Sequence, residues 1–272
     1  MLNNFFWTKI WSEYFYKAIY IVCKKYVDQY NGQNDGNMIS NGEFNVMTLL
    51  LPRCAVVLDI GANQGEWSKK ALSINSNLEL HCFEPSCKTF ERLTKCNFPI
   101  NVKLNNLGVS SCNQMAQLKI FSEGSALNSL YQRVGLEDGY GLEAQTVSEK
   151  VLLTTLDDYC NNLGLIDKGI DFCKVDVEGH ELEVFKGMRQ LLSSKAVQFL
   201  QFEYGGCNID SRVLLRDVFY FFEEYEYVFY KIFPEGLLKV ARYDQRFENF
   251  QYQNWLIVRS NIQLNNLIKK ML

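Results

Sequence analysis

Eight consecutive residues, Lys174-Val175-Asp176-Val177-Glu178-Gly179-His180-Glu181, form the densest run of ionisable side chains in the chain. Strand alternation would put Lys174, Asp176 and Glu178 on one face, opposite Val175 and Val177. Gly179 permits a sharp turn before a helix carrying His180. A histidine there is the first candidate for a general base, because its charge changes near neutral pH. A placed base contributes about 10²–10⁴-fold to a proton-transfer step. Asp176 is the second candidate base, with Glu178 beside it. A histidine that only hydrogen-bonds a neighbouring carboxylate at a helix start is the competing reading. Asp176, Glu178 and Glu203 also offer three hard oxygen ligands of the kind a divalent metal such as Mg²⁺ accepts. Metal-assisted acidification of a hydroxyl is therefore a rival mechanism.

A second constellation lies upstream. The apolar run Val56-Val57-Leu58 ends in Asp59 and passes into Ile60-Gly61-Ala62-Asn63-Gln64-Gly65. This reads as a strand buried on both faces, a glycine turn and a helix whose N-terminus faces a ligand. The turn lacks the G-x-G-x-x-G of dinucleotide folds and the Gly-Lys-Ser/Thr of a P-loop. The remaining D-x-G-x-N-x-G resembles the first motif of class I S-adenosylmethionine-dependent methyltransferases. Glu84 closes the next strand, where an acidic residue can accept both ribose hydroxyls of an adenosine. Asn106 and Leu107, after the third strand, are candidates for adenine contact. Asp59, Gly61, Asn63, Gly65, Glu84, Asn106, Leu107 and Asp176 make up the candidate cofactor set.

These residues need a scaffold that gathers strand ends. From about residue 54 the pattern alternates strand and helix, which predicts a Rossmann-like, doubly wound, mostly parallel α/β sheet. Strands are expected at 54–60, 78–84, 101–107, 114–121, 149–154, 170–176 and 197–204. Helices are expected at 64–74, after Pro85, at 155–163, over 182–192 and near 210–224. Two tail strands, 226–232 and 252–258, would close the sheet as an antiparallel pair. Ligands of such a sheet gather outside the strand carboxyl ends. Asp59, Glu84, Asp176 and Glu203 would then surround one crevice and suit a sulfonium cation. His81, inside an apolar strand, reads as structural. The excursion at 122–141 suits a lid over the acceptor, with Ser129, Tyr131, Arg133 and Glu203 as substrate contacts; an ordinary surface loop is the alternative.

The 272 residues carry a formal net charge of −3, which argues against a nucleic-acid partner that relies on a basic field. Nine cysteines without a CxxC pair suggest reduced thiols and a cytoplasmic location. Residues 1–50 read as a helical segment and linker, and 51–272 as the catalytic domain. The aromatic helix at 1–27 has Phe6, Ile10, Trp11, Tyr14, Phe15, Ala18, Ile21 and Val22 at helical spacing. It carries Lys9, Glu13 and Lys17, which suits neither a membrane span nor a signal peptide. It would pack on its own domain, dimerise, or rest on the inner membrane face as an amphipathic helix.

Taken together, the chain resembles the FkbM-type methyltransferases over roughly residues 54–258. The resemblance rests on VLDIGANQGEWS, CFEPS, SALNSL at 125–130, LLTTLDDYC at 152–160, FCKVDVEGHELEVFKG at 172–187, QFEYG at 201–205 and NWLIVR at 254–259. It implies S-adenosylmethionine as cofactor and O-methylation of a hydroxyl, on a saccharide or glycosylated metabolite. The segment Asn105-Asn106-Leu107-Gly108-Val109-Ser110 departs from the small residue and Asp that relatives often carry. Two other readings use the same fold: an NAD(P)-dependent oxidoreductase, which would want the missing glycine fingerprint, and a non-catalytic S-adenosylmethionine-binding interaction protein, which need not keep both motifs.

Overall fold

Strand β1 (Val56–Ile60) is buried at every position and pairs in parallel on both sides, with β2 (Glu79–Phe83) and β7 (Ile170–Val175). That double coverage is why its sequence is a continuous apolar run rather than an alternating one. The computed structural model describes residues 2–121, 124–125, 127–135, 147–265 and 267–268, with side chains from residue 12 onward. Phe6, Ile10 and Trp11, and much of the 122–141 excursion, lie outside the described side chains.

β3 (Val102–Asn105) extends one edge beside β2, and β8 (Val197–Tyr204) pairs in parallel with β7. Three antiparallel strands complete the eight-stranded order β10-β9-β11-β8-β7-β1-β2-β3: β9 (Tyr227–Phe233), β10 (Gly236–Val240) and β11 (Gln253–Arg259). This is the expected Rossmann-like, mostly parallel α/β sheet. The chain leaves β1 toward β3 on one side and returns to β7 on the other, so the ends of β1 and β7 form the topological switch point, where such sheets bind ligands.

The sheet separates two apolar layers. Val56, Leu58 and Ile60 face one layer with α5 (Leu156–Asn162), α7 (Glu181–Lys186), α8 (Arg189–Ser193) and α10 (Leu215–Phe222). Val57, Leu80 and Phe172 face the other, with α2 (Glu43–Leu50), α3 (Glu66–Ile74) and α4 (Cys87–Thr94). β4 (Gly108–Val109), β5 (Gln114–Ile120) and β6 (Val147–Thr154) form a separate three-stranded sheet. α6 (Leu165–Lys168) precedes β7, and α9 (Cys207–Ser211) follows β8.

Four expectations change. The strand read at 101–107 is two, with β3 in the main sheet and β4 in the small one. The helix read over 182–192 is α7 and α8, broken at Gly187, where a Cβ would collide with the Ser110 carbonyl oxygen. The helix near 210–224 is α9 and α10, separated by Arg212 in the left-handed region (φ 59°). The antiparallel closure holds three strands, because Pro234-Glu235 turns β9 directly into β10.

Helix α1 (Leu2–Asn31) is exposed over residues 13–27, among them Tyr14, Phe15, Tyr20, Val22 and Tyr26. Among the described residues no helix is long and apolar enough to cross a membrane.

Candidate active site

The turn after β1 is fixed by close approach of backbone to backbone. Gly61 has φ +84°, and a Cβ there would collide with the Asp176 carbonyl oxygen at the end of β7. The Asp176 N–H donates to the Ile60 carbonyl at 3.0 Å, while Gly61 and Ala62 donate to the Phe83 carbonyl. Gly65 (φ +79°) caps α3, and its missing Cβ makes room for Leu93 and Phe98. So Gly61 borders the crevice, whereas Gly65 answers to helix packing.

Asp59 is fully buried. Its Oδ2 accepts a 2.6 Å bond from Ser68 Oγ, Oδ1 has no hydrogen-bond partner, and Lys174 Nζ lies 3.9 Å away. Burial pushes this carboxyl up; Lys174 and Ser68 pull it back. Glu84 accepts the N–H of Asn63 at 3.0 Å through one oxygen and that of Ser86 at 2.9 Å through the other. Burial still outweighs both donors and lifts it to about 7. Asn106 spends its amide on the Glu84 and Pro85 carbonyls, 2.9 and 3.1 Å away, and so braces the loop that carries Glu84.

At the end of β7, Lys174 Nζ donates to Asp176 Oδ2 at 2.8 Å. Burial opposes the ammonium charge, but Asp176 and Asp59 outweigh it and hold Lys174 above its usual range. Glu178 has φ +54°, a strained position for a residue with a side chain. Its Oε2 receives Arg133 Nη1 at 2.7 Å, and Arg133 Nε reaches Asp210 at 3.2 Å. Burial and the Asp176 charge raise Glu178 to about 8, against the pull of Arg133. Glu203, at the end of β8, is pushed well above the carboxylate range by burial and by Asp176 and Glu178.

His180 is 8% exposed, with Nε2 2.9 Å from Ser110 Oγ and Nδ1 2.9 Å from the Tyr131 hydroxyl. Burial lowers it to about 4, so the imidazole is neutral at physiological pH. Ser129 Oγ donates to the Glu178 carbonyl at 2.8 Å and accepts the Tyr131 N–H at 3.2 Å. The 129–133 segment is thus tied to the 178–180 turn at three points: Ser129, Tyr131 and Arg133.

Two cavities open here. A narrower one encloses about 740 Å³, counting its mouth, between Phe83, Glu84, Leu107, Val109, Leu130 and His180. A wider one of about 1610 Å³ is bordered by Glu43, Lys174, Glu203, Phe250 and Tyr252. Gly61, Asn63, Asp176 and Glu178 line both and form their common wall. Arg133 borders the wider cavity and His180 the narrower; Asp59, Gly65, Asn106, Ser129 and Tyr131 line neither. Among the described residues no three His, Cys, Asp or Glu side chains are arranged to hold a metal ion. Lys174 and Arg133 instead occupy Asp176 and Glu178.

Several lining residues escape a reading of motifs. Thr89 Oγ1 and Asn63 Oδ1 are buried without a partner, and both residues line the narrower cavity. Orphaned polar atoms of this kind fit a polar ligand. Glu43 comes from the short helix α2, whose spacing carries no signal of a site. Tyr252 precedes β11; since β11 runs antiparallel to β8, its start lies at the carboxyl edge of the parallel strands. That topology was the available signal.

The sequence model of the methyltransferase FkbM domain matches residues 59–229, more than half of the chain. The chain is 25% identical over 209 residues to the 2-O-methyltransferase NoeI of Sinorhizobium fredii, covering 71% of this chain and 80% of that one. It is 32% identical over 158 residues to the hexuronic acid methyltransferase AglP of Haloferax volcanii, covering 56% of this chain and 59% of the relative. Among solved structures, methyltransferase FkbM from Methylobacillus flagellatus superposes with a TM-score of 0.44 at 17% identity, over 75% of this chain and 43% of that one. The chain belongs to the methyltransferase FkbM domain family, and the protein is a methyltransferase.

Proposed function

We propose that the protein transfers a methyl group from S-adenosylmethionine to a hydroxyl of a saccharide or glycosylated metabolite. The observation that carries this reading is the common wall, where Asp176 and Glu178 separate a narrow, mostly apolar cleft from a wider, more polar cavity. The names of the two relatives, a 2-O-methyltransferase and a hexuronic acid methyltransferase, support a sugar hydroxyl as acceptor.

The narrower cavity has the kind of lining an adenosine would need. Phe83, Leu107, Val109 and Leu130 offer apolar surface, Glu84 accepts the ribose hydroxyls, and Thr89 and Asn63 supply unpaired polar atoms. When bound, the cofactor supplies an electrophilic methyl on a sulfonium. Transfer of that methyl to an acceptor hydroxyl would leave a proton for a base of this chain to take. Asp176 is the base that the geometry favours, because it lines both cavities and Lys174 keeps it oriented. His180 lines only the narrower cavity, with both ring nitrogens next to hydroxyls, and serves to position the Tyr131 segment. Holding acceptor and methyl in line supplies much of the barrier reduction.

Incubation with isotopically labelled S-adenosylmethionine and a panel of saccharides, followed by mass spectrometry, tests this. The expected result is a labelled O-methyl product. Thermal stabilisation by NAD and not by S-adenosylhomocysteine would instead support the oxidoreductase reading.

A further inference from the structure

Among the described residues, carboxylates outnumber cations in the lining of the wider cavity. Its two described cations are committed: Lys174 to Asp176, with Asp59 close by, and Arg133 to Glu178 and Asp210. Glu43 and Glu203 also line it, and among the described residues no cation lies within ion-pair distance of either. Glu43 is 6% exposed, and one of its oxygens takes the Gln201 amide at 2.6 Å. No second partner reaches it among the described residues. Burial raises both carboxyls; Lys174 pulls each back from a distance, and Asp176 pushes each up again. Tyr252 lies within the electrostatic reach of Glu203, Asp176 and Glu43, and its ring and that of Phe250 border the same space.

Resting on the sugar-methylation reading, we propose that the wider cavity accepts an amino sugar, whose ammonium is held by Glu203 and Glu43 while a neighbouring hydroxyl reaches Asp176. An ammonium supplies the missing countercharge in a partly desolvated site, where opposite charges attract more strongly than in water. A uronate would add a further anion beside carboxylates that already repel one another. The aromatic side chains of Tyr252 and Phe250, which line the same space, favour a cation nearby.

The test measures kcat/KM for methyl 2-amino-2-deoxyhexosides, their N-acetylated forms and methyl hexuronides, each in gluco and galacto configurations. The free amines should exceed the other two series by about tenfold or more, of the order expected for one charge-assisted contact. Glu203→Gln and Glu43→Gln should each shrink that preference several-fold, with S-adenosylhomocysteine affinity by calorimetry unchanged as proof of fold. N-acetylated or uronate acceptors used as well as the amines, or amines that neither bind nor react, overturn the proposal. Loss of S-adenosylhomocysteine binding in the wild type, or methylation of no saccharide, strikes the underlying reading instead.

Discussion

Glu84 accepts the backbone N–H of Asn63 at 3.0 Å, so the carboxylate that ends β2 also shapes the glycine turn after β1. Its second oxygen holds Ser86 N–H at the start of α4. Burial lifts this group to about 7 in the ligand-free protein. Only the ionised form accepts hydrogen bonds from two ribose hydroxyls through both oxygens. The affinity for S-adenosylhomocysteine should therefore rise as pH increases through about 7 and level off above it. Glu84→Gln should flatten that profile and weaken binding by about tenfold or more, since a hydrogen bond to a charged group contributes about 1.5–3 kcal/mol. Calorimetry from pH 6 to 8 reads both effects, and a wild-type profile flat across this range would remove the ribose assignment.

Lys174 is the single side chain within 4 Å of both Asp59 and Asp176 among the described ion pairs. Removing one member of a buried charge cluster strands the rest, at a cost of about 3–5 kcal/mol. Lys174→Met should lower the urea midpoint accordingly. Adding Asp59→Asn should restore part of the loss, because the two sites share one interaction. Wild-type stability in Lys174→Met would show that the ammonium is not holding the carboxylates together.

Much of this site was legible from residue types at strand ends. β1 is a nearly continuous apolar run and β7 and β8 are mostly apolar; all three end near a carboxylate, and a parallel sheet must bring such ends together. The contacts that redirect individual residues were not legible. At the break between α7 and α8, Gly187 leaves room for the Ser110 carbonyl oxygen, far away in sequence. Asp59 and Asn106 have the right types for ligand contact, yet Asp59 Oδ2 is taken by Ser68, with Oδ1 left without a partner, and the Asn106 amide by the Glu84 loop. Glu43 reaches the cavity through a short helix, α2, that packs by its apolar residues Val46, Met47 and Leu50. No spacing rule links that helix to β8. His180 was attractive as a base for its intrinsic titration near neutrality, and burial between Ser110 and Tyr131 lowers that titration to about 4.

The His180–Tyr131 pair separates positioning from proton abstraction. If His180 orients the segment through the Tyr131 hydroxyl, then Tyr131→Phe and His180→Ala should each reduce turnover by about tenfold or less, and the double variant should be no worse than His180→Ala alone. A general base would give a different pattern: His180→Ala alone would cost about 10²–10⁴-fold, with Tyr131→Phe nearly silent. With His180 held near 4, the rate should show no histidine titration between pH 5 and 8. Steady-state kinetics on the four proteins distinguishes the two roles.

Buried acids also set the pH dependence of stability in the ligand-free protein. Burial raises Glu181 to about 7, above its unfolded value of 4.5, although its Oε1 accepts the Val177 and Gly179 N–H groups. Glu84 and Glu178, at about 7 and 8, are raised for the same leading reason. Between pH 6.5 and 8 the folded state therefore binds more protons than the unfolded chain, so stability falls as pH rises. The histidines act with the opposite sign, since burial depresses both, but their contribution to this slope fades as pH rises above the unfolded value of 6.5. Glu181→Gln keeps the accepting oxygen and replaces Oε2, which has no partner, with a neutral amide. The variant should gain on the wild type as pH rises from 6 to 8, by at most about 1.4 kcal/mol per pH unit for its one proton. Urea unfolding at the two pH values measures the difference directly, and parallel pH dependence in the two proteins would mean that Glu181 is already ionised in the fold.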